Sequence, residues 1–277
     1  MDRINELINY DPTDIVFHSS NLIHAYCFCL TPEQTCELFK SIPRKNKRLL
    51  DKALKKICSD IESEMLPCHE NLLGVLEKEL TSVTSKHRQS IGYYLTNISD
   101  CAPADTRKRI QTLFLESKYI GIRKRGYKSI TRNKNDSQDI LLEAWNTFND
   151  AECAWTITNT FPTDALVPIR KNIVNTFSEG WQYSRLYLKI GKEHPQLLEE
   201  LRDLDEISFC YVLAKLNKKL TTTDAKKIID NNLCDERIGL LIWALGRLRL
   251  WKALQYIELQ LKHNQNPIQL KPTPCLS

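Results

Sequence analysis

The feature that most constrains this chain is a recurrence: stretches with one apolar helical stripe return at a nearly fixed interval. The clearest, 235–248, places Ile238, Leu241, Ile242 and Leu245 at i, i+3, i+4 and i+7, the spacing of a single helical face. Segment 119–130 does the same with Ile122, Gly126 and Ile130, and 150–161 with Cys153, Ala154 and Ile157. Segment 181–190 offers Ser184, Tyr187 and Leu188, and 88–98 offers Ile91, Leu95 and Ile98. Aligned on the first inward position, Ile91, Ile122, Cys153 and Ser184 follow in three steps of 31, then Phe209 and Ile238 after 25 and 29. Independent helices have no reason to keep such a spacing.

Each of these helices is followed, after a short polar break, by a second, expected over 103–116, 137–148, 164–177, 194–204, 222–231 and 250–263. The breaks carry residues that cap or stop helices. Asp136-Ser137, Thr163-Asp164 and Thr221 to Asp224 precede second helices, where a side-chain oxygen can accept from the free N–H groups of the first turn. Pro162 closes the helix before it. Six helix–turn–helix units of this kind can bury their apolar faces only against one another, which winds them into a superhelix.

The residues also resemble HEAT repeats, in which one helix carries an Asp, an aliphatic-Arg pair, a small residue and Leu-Gly. Asp235, Ile238 and Ala244-Leu245-Gly246 match in one unit, Ile122-Arg123 with Gly126 in another, and Asp150 with Ala154 in a third; Gly239 and Ala154 stand where Arg belongs. The resemblance covers about residues 85–263. It implies an all-α fold, a right-handed superhelix of antiparallel helix pairs with about six repeats, and an interaction scaffold. It also implies that Arg123 bridges to an acid of a neighbouring repeat.

The expected organisation is therefore an N-terminal helical region over 1–84, acting as cap or degenerate repeats, a HEAT-like array over 85–263, and a tail over 264–277 punctuated by Pro267, Pro272 and Pro274. In 1–84, Thr31-Pro32-Glu33-Gln34 reads as a helix start with Thr as cap and Gln reaching back. Helices are expected near 20–30, 32–41, 45–63 and 69–84, with Pro43 and Pro67 as breaks.

Several functions find no support. The eight glycines never cluster into a phosphate-binding loop, and there is no HExxH helix and no GxSxG elbow. No apolar run approaches the ~20 residues that span a bilayer. The N-terminus lacks the apolar core of a signal peptide. A cytoplasmic protein with reduced cysteines is expected. His24, Cys27, Cys29 and Cys36 lie close in sequence, but no CxxC pair exists, so the cysteines read as core rather than as zinc ligands. No cofactor, metal or catalytic residue is expected. The five tryptophans read as core too.

Charge carries the remaining signal. Ten basic residues lie between Arg107 and Lys134 against one acid, Glu116; a second cluster runs from Arg44 to Lys56, and six acids crowd 193–206. Away from the Ile122–Gly126–Ile130 stripe, Lys124, Arg125 and Lys128 are expected to join Arg107 and Lys108 in one exposed patch. The leading expectation is a non-enzymatic scaffold that binds a protein partner. The alternative is a nucleic-acid binder that uses 107–134, where clustered cations gain from counterion release. A further reading, by analogy of shape with HEAT-like DNA glycosylases, would use Trp145, Asp150, Trp155 and Arg170.

Overall fold

The computed structural model describes residues 3–9, 25–42, 47–63, 70–82, 85–133 and 138–263. These are helical throughout, and no strand occurs among them. The chain divides into two compact units, residues 1–156 and 157–277. No helix among the described residues is long and apolar enough to cross a membrane.

The first unit contains α1 (Arg3–Asn9), α2 (Pro32–Ser41), α3 (Lys47–Glu62), α4 (Glu70–Ser82), α5 (Ser85–Cys101), α6 (Ala104–Leu115), α7 (Ile120–Arg132) and α8 (Gln138–Phe148). Helix α9 (Ala151–Thr160) holds the division between the units. Helix α2 begins as expected: Thr31 Oγ1 accepts from the Gln34 N–H while the Thr31 N–H donates to Gln34 Oε1, a reciprocal capping box, with Pro32 at the first position. Residues 25–28 are helical as well. The expected breaks at Pro43 and Pro67, the caps at Asp136 and Ser137 and the tail over 264–277 lie outside the described residues.

Helix α5 packs on both α3 and α7. Ser99 Oγ lies 3.3 Å from Ser129 Oγ, and Arg132 Nη1 lies 2.7 Å from Asp100 Oδ2. Both numbers rise together along α5 and α7, so these helices run parallel. Helix α6 runs the other way, because Gln111 Nε2 donates to Ser129 Oγ at 3.1 Å whereas Leu115 lies against Gly126. That last approach needs glycine: a Cβ at 126 would stand 3.0 Å from Phe114 Cβ and 3.2 Å from Leu115 Cδ2. The core of this unit runs from Ile4 and Leu38 through Ile57, Leu76 and Leu95 to Phe114 and Ile122. Each such side chain contributes about 1.5–3 kcal/mol on burial.

The second unit contains α10 (Thr163–Thr176), α11 (Gly180–Ile190), a 3-10 turn (Pro195–Leu197), α12 (Leu198–Leu204), α13 (Glu206–Lys215), α14 (Thr222–Asn232), α15 (Ile238–Arg247) and α16 (Trp251–His263). Helix α13 packs between α11 and α15, and α14 packs on α16. Ser208 Oγ donates to the Gly180 carbonyl at 3.0 Å, and Arg237 Nη1 to Asp205 Oδ2 at 2.6 Å. Ring centroids of Tyr211 and Trp243 lie 5.6 Å apart. Helices α11, α13 and α15 are therefore parallel. Asp205 also caps α13, its Oδ1 accepting from the Ile207 and Ser208 N–H groups.

The helix boundaries expected for both members of each pair fall within a few residues of those observed. Ile91, Ile122, Cys153, Ser184, Phe209 and Ile238 are all buried. Two expectations need correction. Thr221 caps α14, accepting from the Asp224 N–H, but Thr163-Asp164 caps nothing: Pro162 is the residue before α10, and Thr163 Oγ1 donates instead to Glu193 Oε1. The last step of the recurrence is also shifted. Helices α13 and α15 end in the same turn, with Lys218 N–H donating to the Leu213 carbonyl and Leu250 N–H to the Leu245 carbonyl, around Asn217 (φ 52°) and Arg249 (φ 59°). Aligned on that turn, Phe209 corresponds to Leu241, one helical turn beyond Ile238.

Candidate interaction surface

The structure scatters the five residues of the expected basic patch among different tasks. Arg107 folds back onto the end of α5, its Nε donating to the Ser99 carbonyl at 3.1 Å and its Nη2 to the Ala102 carbonyl at 2.9 Å. A cation there satisfies carbonyls that the helix leaves without partners. Arg125 is half-buried rather than exposed. Its Nη2 donates to the Gln89 carbonyl at 3.2 Å, its guanidinium lies 6.0 Å from the Tyr93 ring centre, and burial holds its pKa below the usual arginine range. Lys108, Lys124 and Lys128 are exposed, and Lys124 pairs with Glu152. The continuous patch is thus reduced to three lysines.

Arg123 makes the bridge expected of it, and the acid is Asp150. Its Nε meets Asp150 Oδ2 at 2.7 Å, its Nη2 meets Oδ1 at 3.1 Å, and its Nη1 donates to the Ser117 carbonyl. The guanidinium also stacks 3.9 Å from the centre of the Phe148 ring. Tyr127, buried on α7, donates its hydroxyl to the same carboxylate at 2.7 Å. Burial pushes the Asp150 carboxyl upward, but the hydrogen bonds from Arg123 and Tyr127 outweigh it and hold the pKa below the usual range.

Ties of this kind recur, four of them between residues 30 to 32 apart in sequence. Arg109 meets Glu77 and Arg132 meets Asp100 in the first unit. In the second, Arg170 grips Glu200 with two hydrogen bonds, Arg202 meets Asp224, and Arg237 meets both Asp205 and Asp235. Of the six acids in 193–206, Glu200 and Asp205 are held in these ties and Glu206 accepts from Asn231 and Asn232, while Glu193, Glu199 and Asp203 are exposed. Several of the charges that cluster in the sequence thus hold one helix to the next, while Lys108, Lys124 and Lys128 remain exposed.

Several of the chemistry-bearing groups among the described residues are buried or held by a partner. Of the proposed glycosylase ingredients, Trp145 is buried, Asp150 is held by Arg123 and Tyr127, and Arg170 is held by Glu200. The described cysteines are free thiols; burial pushes Cys27 up to about 11 and Cys153 and Cys210 up to about 12, so these three are poor nucleophiles. Cys27 is buried while Cys29 is exposed; His24 lies outside the described residues. Asp164, Glu193 and His194 bring ligand atoms within 4.8 Å of one another, but Asp164 is almost fully exposed. A groove beside α6 and α8, lined by Leu115, Ile140, Ala144 and Phe148, has a volume of about 170 Å³. Two further grooves along α6, one lined by Glu77, Lys108, Arg109 and Thr112 and one by Leu80, Leu113, Ser117 and Tyr119, have about 470 and 360 Å³, within the range of about 300–1,000 Å³ typical of ligand pockets.

Sequence reasoning missed the exposed tryptophans. Trp145 is buried as expected, but Trp181 is 53%, Trp243 39% and Trp251 71% exposed. Trp243 and Tyr211 form a tilted pair, and the Lys215 ammonium lies 5.4 Å and 5.6 Å from their ring centres. In the first unit Tyr93 is exposed beside Arg125. Tyrosine and tryptophan bury large apolar areas when they can, so their exposure on parallel helices is informative.

No family model matches the chain, and neither the curated proteins nor the solved structures contain one that is detectably similar.

Proposed function

We propose that the chain is a non-enzymatic interaction scaffold, a HEAT-like α-solenoid that presents the outer face of the first helix of each pair to a macromolecular partner. The observation that carries this reading is the parallel, in-register packing of α5 with α7 and of α11, α13 and α15. It leaves Tyr93, Lys124 and Lys128 outward in one unit and Tyr211, Lys215 and Trp243 outward in the other. Such a surface is built by stacking units that cannot bury their apolar faces alone. A nucleic-acid site across 107–134 retains Lys108, Lys124 and Lys128 among its exposed cations, beside Arg109, Lys118 and Arg132, and reversal of the three lysines to Glu tests it through salt-dependent retention on a nucleic-acid column.

The scaffold reading is tested by affinity capture from native cells, with and without nuclease. Wild type, a variant of the outer face (Lys124→Glu with Trp243→Ala) and a variant of the exposed side of α10 (Lys171→Glu) are compared. Capture by wild type and Lys171→Glu but not by the outer-face variant supports it. Equal capture by all three, or none by wild type, overturns it.

A further inference from the structure

The outer face of the second unit has a composition that names its partner more closely. Helix α13 is covered nearly all round: Ile207, Ser208, Phe209, Cys210, Val212, Leu213 and Ala214 are buried. What it shows to solvent beyond its first residue is Tyr211 and Lys215, one turn apart. Helix α15 shows Trp243 and Arg247 with the same spacing, beside them. Segments 209–220 and 238–252 contain Lys215, Lys218, Lys219, Arg247, Arg249 and Lys252 and no Asp or Glu. The acids that flank them are mostly engaged elsewhere: Glu206 by Asn231 and Asn232, Asp224 by Thr221 and Arg202, and Glu258 by Lys262. Glu236 is exposed at the opposite end of α15. Trp251 opens α16 directly after the Arg249 turn, with most of its surface in solvent.

We infer that this face binds single-stranded nucleic acid, with bases stacked on Tyr211, Trp243 and Trp251 and phosphates met by Lys215, Lys219, Arg247 and Arg249. The inference rests on the scaffold reading and gives its partner a chemical class. Each of two parallel helices presents one ring and, a turn further on, one cation, and a single strand sets flat bases beside phosphates. Every base offers a π-face, so such a surface needs no particular sequence. A duplex hides its bases from stacking, and an acidic polypeptide uses the cations but not the rings.

The test is fluorescence anisotropy of the full chain with a fluorescein-labelled oligothymidine, and with the matching oligouridine, while tryptophan emission is followed. The wild type binds at low salt with quenched tryptophan emission, and its affinity falls with salt at a log–log slope of roughly −0.7 per phosphate neutralised. Trp243→Ala weakens binding by about tenfold, the effect of one lost stacked base. Lys215→Glu with Arg247→Glu, both exposed and checked for folding by circular dichroism, abolishes binding, and Lys124→Glu with Lys128→Glu leaves most of it. Absence of wild-type binding at low salt overturns the inference. So does a loss on charge reversal with Tyr211→Ala and Trp243→Ala unaffected, which is the behaviour of a site for an acidic protein. In either case the scaffold reading stands or falls separately, on recovery of a nuclease-resistant partner in the capture experiment.

Discussion

Asp150 accepts hydrogen bonds from two guanidinium nitrogens of Arg123 and from the Tyr127 phenol, and at the scale of single residues it ties α7 to the start of α9. Asp150→Asn leaves a buried arginine without its charge partner and is expected to cost about 3 kcal/mol in urea unfolding at neutral pH. Its folded pKa is depressed, so the stabilisation is fully present above the unfolded value of about 3.9 and is lost as pH falls below it. The gap between wild type and variant should therefore be constant from neutral pH down to about 5 and shrink below about 4; a gap that does not change places the effect elsewhere. Arg249 holds a left-handed backbone that glycine adopts without strain, so Arg249→Gly should raise the stability by about 1 kcal/mol in the same assay. The Arg123 bridge was legible because its position in the repeat implied an acid nearby. The left-handed turn was not legible, because neither Arg249 nor its neighbours carry the glycine that marks such a turn.

Helices report a different balance. Gly126 and Gly246 are both helical glycines, and sequence alone treats them as equivalent. A side chain at 126 runs into Phe114 and Leu115, whereas at 246 it meets nothing within 4 Å. Gly126→Leu should destabilise by about 1–3 kcal/mol through overpacking. Gly246→Ala should stabilise by up to about 1 kcal/mol through helix propensity. Thermal unfolding of the two variants decides, and shifts of the same sign would contradict the packing described. Periodicity located nearly every helix because one stripe must face the core. It misassigned Trp181, Trp243 and Trp251 for the same reason: the rule sends apolar residues inward. It does not say that a helix with neighbours on several sides leaves a narrow outer stripe where an aromatic side chain stays in solvent.

On the scale of the molecule, each unit is held by the same device, parallel helices tied by pairs whose members lie about 30 residues apart in sequence. The charge blocks of 107–134 and 193–206 were visible in the sequence, but their roles were not. A string of arginines reads alike whether it faces solvent or a carboxylate 32 residues away, as Arg132 faces Asp100 and Arg237 faces Asp205. The packing behind this account is most directly tested by a cross-link between α5 and α7. Ser99 and Ser129 are both buried, with hydroxyl oxygens 3.3 Å apart across 30 residues of chain. The variant Ser99→Cys with Ser129→Cys, refolded under oxidising conditions, is expected to form that disulfide and to gain about 3–4 kcal/mol from closing the loop, less any strain. A folded variant in which the two thiols stay free, or pair with other cysteines instead, would contradict the in-register packing on which the scaffold reading depends.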